Sequence, residues 1–242
     1  MSVRVAALGD PHAGVDTAGF LRPALADVAA HADLLLVAGD LTRHGQPDEA
    51  AVLAGEVCEL GVPVVGVLGN HDHESDQEDK VRAVMEDAGV VVLEGESTVV
   101  DVRGTRVGIA GAKGFGGGFE GACATEFGER EIKAFVGHTR ATARTLGDAL
   151  ASLDADVRIV LLHYSPVPET LVGERLEIYP FLGSYLLADA IDRSGADLVV
   201  HGHAHAGSEK GMTPGGVPVR NVSQPVIGAA YRVYSVPGPV DV

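Results

Sequence analysis

The 242-residue sequence predicts an α/β fold in which helices flank a mixed β-structure of two sheets. Three observations support this class. Continuous apolar runs rich in β-branched residues recur along the chain, which is typical of strands buried on both faces. Helical stretches separate the first of these runs, giving the βαβ rhythm of α/β proteins. Short polar clusters follow five of the runs, at the strand ends where open α/β sheets bind their ligands.

The first third of the chain alternates predicted strands and helices. The predicted strands are residues 3–8, 34–38 and 62–68, and the predicted helices are residues 18–32 and 47–60. Ser75 and Glu78 have the spacing of a capping box, which predicts a third helix that ends near Ala88. An Arg-Gly-Thr turn between residues 99–102 and 106–110 predicts a β-hairpin.

The remainder of the chain continues the mixed pattern after a Gly-rich, irregular stretch at residues 113–128. Apolar residues at helical spacing predict a long helix over residues 129–153. Further strands are predicted at residues 158–162, 198–200, 217–222 and 231–236, with a helix at residues 184–193. Because no linker or internal repeat divides the chain, we expect one domain over residues 1–242.

Composition limits the classes of function. The formal net charge of −16 repels polyanions, so nucleic acid is a disfavoured partner and a nuclease a disfavoured function. Cys58 and Cys123 do not form a Cys-x-x-Cys pair, which favours a reducing compartment. The apolar N-terminal stretch is too short for a signal peptide, and no apolar run approaches the roughly 20 residues of a membrane span. We therefore expect a cytoplasmic protein without a membrane partner; formation of a homo-oligomer stays open.

The polar clusters point to one metal site built from distant parts of the chain. They are GDPH (residues 9–12), GD (residues 39–40), GNHD (residues 69–72), His163 and GHAH (residues 202–205). A single histidine after a strand is usually a packing or surface residue, but five clusters at successive strand ends indicate a shared site. Carboxylate, imidazole and amide ligands without thiolate suit hard to borderline divalent metals.

Two divalent ions about 3.5–4 Å apart can hold a bridging hydroxide and clamp a phosphoryl group. Such a site needs a carboxylate that reaches both ions, and Asp40 is best placed for this. Asp10, His12 and a distal histidine complete the first ion, whereas Asn70, His163 and another distal histidine complete the second. With two carboxylates and a hydroxide as the only anions, the centre stays net positive toward a phosphate. His71 is not needed as a ligand and is the candidate to protonate the leaving oxygen.

The series GDPH, GD, GNHD, HYSP and GHAH resembles the calcineurin-like metallophosphoesterases in order and spacing, from about Arg4 to His205. The resemblance implies a four-layer αββα sandwich with two mixed sheets and a dinuclear site of Mn, Fe or Zn at the carboxyl ends of the strands. It implies hydrolysis of a small phosphodiester or phosphomonoester, with His71 as the catalytic histidine. The implied ligands are Asp10, His12, Asp40 and His205 for one metal and Asp40, Asn70, His163 and His203 for the other.

One stretch departs from a branch of this family. Phosphoprotein phosphatases carry GD-x-x-DRG, whereas this chain reads GDLTRHG, with Arg43 in the acidic position and His44 in the phosphate-binding arginine position. The stretch looks more like the bacterial and archaeal phosphodiesterases. Arg43, His44 and Lys113 are candidate substrate contacts; the alternative for Arg43 and His44 is a solvated loop, and Lys113 depends on the interpretation of the Gly-rich loop that follows it. The Gly-rich loop around residues 114–118 is either a lid near the metals or a disordered surface loop.

Several residues near the clusters have two possible roles. His201 matches no ligand position and is predicted to be a hydrogen-bonded core residue, and Asp72 either orients His71 or closes a turn. The aromatic residues of the segment 177–184 either stack on a substrate ring or pin the loop to the core, and the second is favoured. For the whole chain, the main alternative to an esterase is a non-catalytic scaffold of the same fold, which this chain disfavours because it has every ligand.

Overall fold

The computed structural model describes residues 2–238, which form strands and helices in the alternating order that the sequence predicts. The strands are β1 (Ser2–Leu8), β2 (Leu34–Ala38), β3 (Val64–Val67), β4 (Val91–Val92), β5 (Glu96–Val102), β6 (Thr105–Ala112), β7 (Gly118–Phe119), β8 (Ala122–Cys123), β9 (Val157–Leu162), β10 (Leu198–His201), β11 (Lys210–Met212), β12 (Pro218–Asn221) and β13 (Arg232–Pro237). The helices are α1 (Arg22–Leu25), α2 (Val28–His31), α3 (Pro47–Val57), α4 (Glu78–Asp87), α5 (Arg130–Ala151), α6 (Tyr179–Leu182), α7 (Tyr185–Ser194) and α8 (Gln224–Ile227).

Two mixed sheets pack face to face. The first has the order β13-β1-β2-β3-β4, in which only β13 runs antiparallel to its neighbour. The second has the order β11-β12-β10-β9-β6-β5, with parallel strands in the centre and an antiparallel strand at each edge. A separate hairpin of β7 and β8 lies within the Gly-rich stretch.

The core between the sheets is almost entirely aliphatic. Val5 and Leu36 of the first sheet meet Ile109 and Ile159 of the second, and all four are fully buried. The opposite faces of the same strands are buried too, because helices cover them. Burial on both faces explains why the strands read as continuous apolar runs instead of alternating ones.

Helices form the two outer layers. Leu25 of α1, Leu53 of α3 and Met85 of α4 pack on the outer face of the first sheet. Leu146 of α5 and Leu187 of α7 pack on the outer face of the second. The predicted αββα sandwich with two mixed sheets is therefore confirmed. Within residues 2–238, none of the helices combines the length and apolar character that a membrane crossing needs.

Some local predictions were wrong. The helix expected at residues 18–32 is two short helices, α1 and α2, that meet at Asp27, whose φ of −107° and ψ of 12° leave the helical region. Ser75 does not cap α4, since Gln77 occupies the N-cap. The Ser75 hydroxyl instead donates to the carbonyl of Gly45 at 2.5 Å. A tertiary hydrogen bond has thus replaced the local one that the spacing suggested.

Candidate metal centre

Five loops at the carboxyl ends of strands meet at one edge of the sandwich. In the first sheet, the loops after β1, β2 and β3 carry the expected ligands Asp10, His12, Asp40 and Asn70. In the second sheet, the loops after β9 and β10 carry His163, His203 and His205. All seven predicted ligands are therefore brought to the same edge, where α/β sheets place their ligands.

The first group of donors consists of Asp10, His12, Asp40 and His205, and one ligand atom of each lies within 4.8 Å of the others. Nε2 of His205 is 3.1 Å from Oδ1 of Asp10. Nε2 of His12 is 3.7 Å from Oδ2 of Asp40 and 3.5 Å from Nε2 of His205. Two carboxylates and two imidazoles that converge in this way suit a divalent metal of the first transition row.

The second group consists of Asp40, His163 and His203, again with ligand atoms within 4.8 Å of one another. Nε2 of His163 is 3.3 Å from Oδ1 of Asp40 and 2.9 Å from Oδ1 of Asn70, so the amide oxygen joins this group. Asp40 belongs to both groups: one of its oxygens faces His163 and the other faces His12. This is the arrangement that a carboxylate shared by two ions needs.

Backbone strain is concentrated at these donors. Among residues 2–238, seven non-glycine residues have positive φ, and four of them are Asp10 at 58°, His12 at 42°, Asp40 at 48° and His203 at 69°. Such conformations cost free energy and persist where the surrounding structure enforces them, as at functional sites. Here they turn the side chains inward immediately after each strand ends.

Close packing of the loops explains two of the glycines in the clusters. A Cβ atom at Gly39 would lie 2.5 Å from Nδ1 of His163, and one at Gly202 would lie 2.5 Å from Oδ2 of Asp10. Both distances are shorter than a nonbonded contact permits. The loops of the two sheets can therefore approach each other only because these positions lack side chains.

Hydrogen bonds and burial prepare the buried imidazoles for metal binding. Nδ1–H of His163 donates to the carbonyl of Ala38 at 2.9 Å, which leaves Nε2 as the lone-pair nitrogen facing Asp40. Burial lowers the pKa of His163 well below its usual value and that of His203 to about 3, so both rings are neutral at physiological pH. Burial raises the pKa of Asp10 to about 6. A metal ion at this carboxylate therefore competes with a proton.

His71 stands beside both groups without entering either of them. Its Nδ1–H donates to the carbonyl of Arg43 at 2.8 Å, and its backbone N–H donates to Oδ1 of Asp40 at 2.9 Å. Nε2 lies 4.0 Å from Oδ2 of Asp40, and the ring is 4.6 Å from that of His12. One ring nitrogen is thus fixed by the protein, and the other faces the metal centre.

Asp72 closes a turn; no hydrogen bond of its carboxylate reaches His71. Its fully buried carboxylate accepts four hydrogen bonds of 2.6–3.1 Å, from the backbone of Leu41, Thr42 and Gly69 and from the Thr42 hydroxyl. It therefore ties the Asp40 loop to the Asn70 loop. The group that orients His71 is the Arg43 carbonyl, which sequence reasoning missed because a backbone atom leaves no signature in the residue type.

His201 is the hydrogen-bonded core residue that the sequence predicts. Its Nδ1 donates to the carbonyl of Gly202 and its Nε2 accepts from the Thr170 hydroxyl, both at 2.8 Å. The Thr170 hydroxyl also lies 2.8 Å from that of Ser165. Burial lowers the pKa of His201 to about 4, so the ring stays neutral. This network connects the loop after β9 with the end of β10.

The three candidate substrate contacts occupy different environments. The guanidinium of Arg43 pairs with Asp16 at 2.8 Å. The exposed ring of His44 lies 3.3 Å from Oε2 of Glu74. Lys113 is half-buried, and its ammonium lies 5.2 Å and 5.5 Å from the centres of two aromatic rings, those of Phe115 and Tyr164. Arg43 and His44 thus already have acidic partners, whereas Lys113 packs over aromatic rings.

The Gly-rich stretch is an ordered hairpin that packs on the segment before α7. The backbone N–H of Gly117 donates to the Pro180 carbonyl at 2.7 Å, and that of Gly118 donates to the Gly183 carbonyl at 2.9 Å. The Tyr179 hydroxyl donates to the Leu171 carbonyl at 2.9 Å, so Tyr179 does pin its loop to the protein. Phe181 of the same segment is 60% exposed and has no such role.

The fold and the site define a class: αββα sandwiches with Asp/His groups that can hold metal ions at the carboxyl ends of the strands. Residues 3–207 match the calcineurin-like phosphoesterase family, which is far more than half of the chain. The chain belongs to this family of metal-dependent phosphoric ester hydrolases.

Individual relatives support this assignment to different extents. A probable cyclic nucleotide phosphodiesterase of Synechococcus sp. is 35% identical over 82 residues, which cover 30% of this chain and 32% of that protein. The match thus spans about a third of the relative's length. The phosphopantetheinyl hydrolase of Mycobacterium tuberculosis has a TM-score of 0.64 at 19% identity over 95% of both chains. TT1561 of Thermus thermophilus has a TM-score of 0.57 at 17% identity, covering 91% of this chain and 89% of that one. These two structures show the shared fold.

Proposed function

We propose that the protein hydrolyses a small phosphodiester or phosphomonoester at a dinuclear metal centre, with His71 assisting the leaving group. The observation that carries this proposal is the pair of donor groups that share Asp40. A single-metal site would not need a carboxylate with one oxygen turned toward each group. The shared carboxylate is the feature expected where two ions act on one phosphoryl group.

The donors present fit two divalent ions such as Mn, Fe or Zn. Asp10, His12, Asp40 and His205 would hold one ion, and Asp40, Asn70, His163 and His203 would hold the other. Bound in this way, the ions would supply Lewis acidity and a hydroxide nucleophile at neutral pH. The protein supplies the neutral imidazole of His163, whose tautomer is fixed by the Ala38 carbonyl, further imidazoles and two carboxylates that offset only part of the ions' charge.

His71 is proposed to move the proton. Its Nδ1–H is held by the Arg43 carbonyl, so Nε2 is the nitrogen that exchanges a proton with the substrate. In the protonated ring, Nε2–H points into the centre and can donate to the leaving oxygen. The carboxylate of Glu74 lies 3.9 Å from the same Nδ1.

Lys113 is the proposed cationic contact for the phosphate. Burial lowers the pKa of its ammonium, and the carboxylates of Glu94 and Asp40 oppose that shift. The ammonium lies over the ring of Tyr164, which directly follows the candidate ligand His163. We propose that Arg43 and His44 act at the rim, where each would exchange its present acidic partner for an anionic part of the substrate.

A substrate panel tests this function. Aryl phosphomonoesters, aryl phosphodiesters, cyclic nucleotides and nucleotide sugars would be assayed with Mn²⁺ and with a chelator. The match to a probable cyclic nucleotide phosphodiesterase is the reason to include cyclic nucleotides. We expect metal-dependent release of product from at least one class, and its loss with chelator. Protein that takes up no metal and cleaves none of the panel would contradict the proposal and favour a non-catalytic scaffold.

A further inference from the structure

Aromatic residues are scarce in this chain and unevenly placed. The sequence contains six Phe, five Tyr and no Trp, and the fully buried cores on both faces of the first sheet contain none of them. Tyr231 and Tyr234 pack against those cores from partly buried positions, and Tyr164 belongs to the core on the outer face of the second sheet. None of the six phenylalanines is part of a core on a face of either sheet, so their placement needs another reason.

Four of the eleven aromatic residues form one continuous strip that ends at the metal centre. We define the aromatic strip as Phe115, Phe135, Tyr164 and Phe181. The ring centres are 6.4 Å apart for Phe181–Phe135, 5.1 Å for Phe135–Phe115 and 5.9 Å for Phe115–Tyr164. The Tyr164 ring then lies 4.4 Å from that of His203. These separations are within the range of stabilising contacts between aromatic rings.

Phe181, at the end of the strip away from Tyr164, also lies close to the candidate ligand His203. The carbonyl of Phe181 is 3.2 Å from Nε2 of His203. Phe181 is 60% exposed, so part of its surface is open to a ligand. The strip is held in place because the hairpin that follows Phe115 is hydrogen-bonded to the segment that carries Phe181. A fixed, partly exposed aromatic surface beside a phosphate-binding centre suits a planar ring of the substrate.

The positive charge of Lys113 beside the strip also suits a phosphate ester that carries a planar ring. The ammonium of Lys113 lies over the rings of Phe115 and Tyr164, at the end of the strip that contacts His203. A substrate with a phosphate at the metal centre would present its anion to Lys113 and its ring to the strip. A purely aliphatic ester group would leave Phe181 exposed to water and gain no stacking contact.

We infer that the aromatic strip is the specificity subsite for a phosphate ester whose organic group carries a planar ring, such as a nucleobase or an aryl group. This inference rests on the proposed function, because the phosphate must first be held at the metal centre. With this subsite, the choice of substrate depends on the second sheet and the Gly-rich hairpin. Esters with a planar ring would be preferred over small aliphatic esters.

Non-hydrolysable phosphonates test the inference by binding alone. Methylphosphonate, phenylphosphonate and cyclohexylphosphonate share the anionic group and differ in the attached group. Their affinities for the Mn²⁺-loaded protein would be measured by calorimetry. We expect phenylphosphonate to bind about tenfold tighter than methylphosphonate and about threefold tighter than cyclohexylphosphonate, as for one stacking contact.

Variants assign the effect to the strip. Phe181→Leu should lower the phenyl-to-methyl preference to about threefold, and Phe115→Leu should lower it as well. Lys113→Gln should weaken both ligands by a similar factor, because it removes a contact to the anion. Phe20→Leu is the matched control: Phe20 is 76% exposed on the first-sheet side of the protein, so the preference should not change.

The outcomes separate the two proposals. Equal affinity of the wild-type protein for phenylphosphonate and methylphosphonate would overturn the specificity subsite, as would an unchanged preference in both phenylalanine variants. The proposed function would stand in those cases, provided that methylphosphonate binds and esters are cleaved. If no phosphonate binds and no ester is cleaved, both proposals fail.

Discussion

The loops of the first sheet carry both carboxylates and the amide of the metal centre, whereas the loops of the second sheet carry three imidazoles. The first half also supplies His12 and His71. Both carboxylates and the proposed proton donor thus come from residues 10–71, whereas three of the four imidazole donors and the aromatic strip come from the later part of the chain. The carboxylates of the candidate centre and the proposed aromatic subsite therefore belong to different halves of the chain.

The loops of the two halves are also held differently. In the first half, the buried carboxylate of Asp72 accepts four hydrogen bonds from the loops that carry Asp40 and Asn70. In the second half, the neutral groups of Ser165, Thr170 and His201 bond to one another. Hydrogen bonds to an ionised carboxylate are stronger than those between neutral groups, so we expect the loops that carry Asp40 and Asn70 to be held more firmly than the loops of the second half.

Replacement of the shared carboxylate should have the largest effect. Asp40→Asn keeps an oxygen that can accept from the His71 backbone but removes the negative charge common to both donor groups. We expect a loss of bound metal and a fall in kcat/KM of about 10⁴-fold. Metal content and steady-state kinetics measure the two effects.

Asp154→Asn is the control for the charge change, since that side chain is 90% exposed and pairs only with Arg106 at the surface. It should leave both metal content and kcat/KM unchanged. An Asp40→Asn protein that keeps two metals per chain would refute the shared role of this residue and remove the main contrast between the two halves.

Removal of the proposed proton donor should have a smaller effect. His71→Ala should retain the metals, because His71 is outside both donor groups, and should lower kcat by about 10²–10³-fold. A leaving group of low pKa, such as p-nitrophenol, should be affected less than an alkyl group, because it needs less protonation. His31→Ala, at an exposed helical histidine, is the control; full activity of His71→Ala on alkyl esters would exclude the role.

Periodic patterns and strand ends predicted an α/β fold with two sheets and the convergence of the polar clusters. The αββα layering and the assignment of His203 and His205 to one metal each followed from the family resemblance. The sequence could not predict features set by contacts between distant loops. The helix expected at residues 18–32 divides at Asp27, and Ser75 bonds to Gly45 instead of capping α4. The role of Asp72 was ambiguous for the same reason, since its four donors come from three separate positions. The single-domain organisation and the metal-ligand roles stay predictions.

Loss of the charge of Asp72 should destabilise the protein more than loss of a hydrogen bond among Ser165, Thr170 and His201. Asp72→Asn places an NH₂ group opposite N–H or O–H donors, so at least one hydrogen bond is lost and a donor stays buried and unpaired. We expect the free energy of unfolding to fall by about 3 kcal/mol in urea denaturation of the metal-free protein. Asp76→Asn is the control in the same loop, because that side chain is exposed. A fall no larger than that of the control would show that the carboxylate does not brace the loops.

Thr170→Val tests the hydrogen bonds among Ser165, Thr170 and His201, and should have the smallest effect of these substitutions on stability. The substitution keeps the shape of the side chain but removes the hydroxyl that bonds to His201 and Ser165. Nε2 of His201 is then a buried acceptor without a partner, so we expect the free energy of unfolding to fall by about 1–2 kcal/mol. Thr145→Val, whose hydroxyl bonds only to the helix backbone at Ala141, should cost less. If Thr170→Val lowered the free energy of unfolding as much as Asp72→Asn, the charged carboxylate would hold its loops no more firmly than the neutral hydrogen bonds hold the loops of the second half.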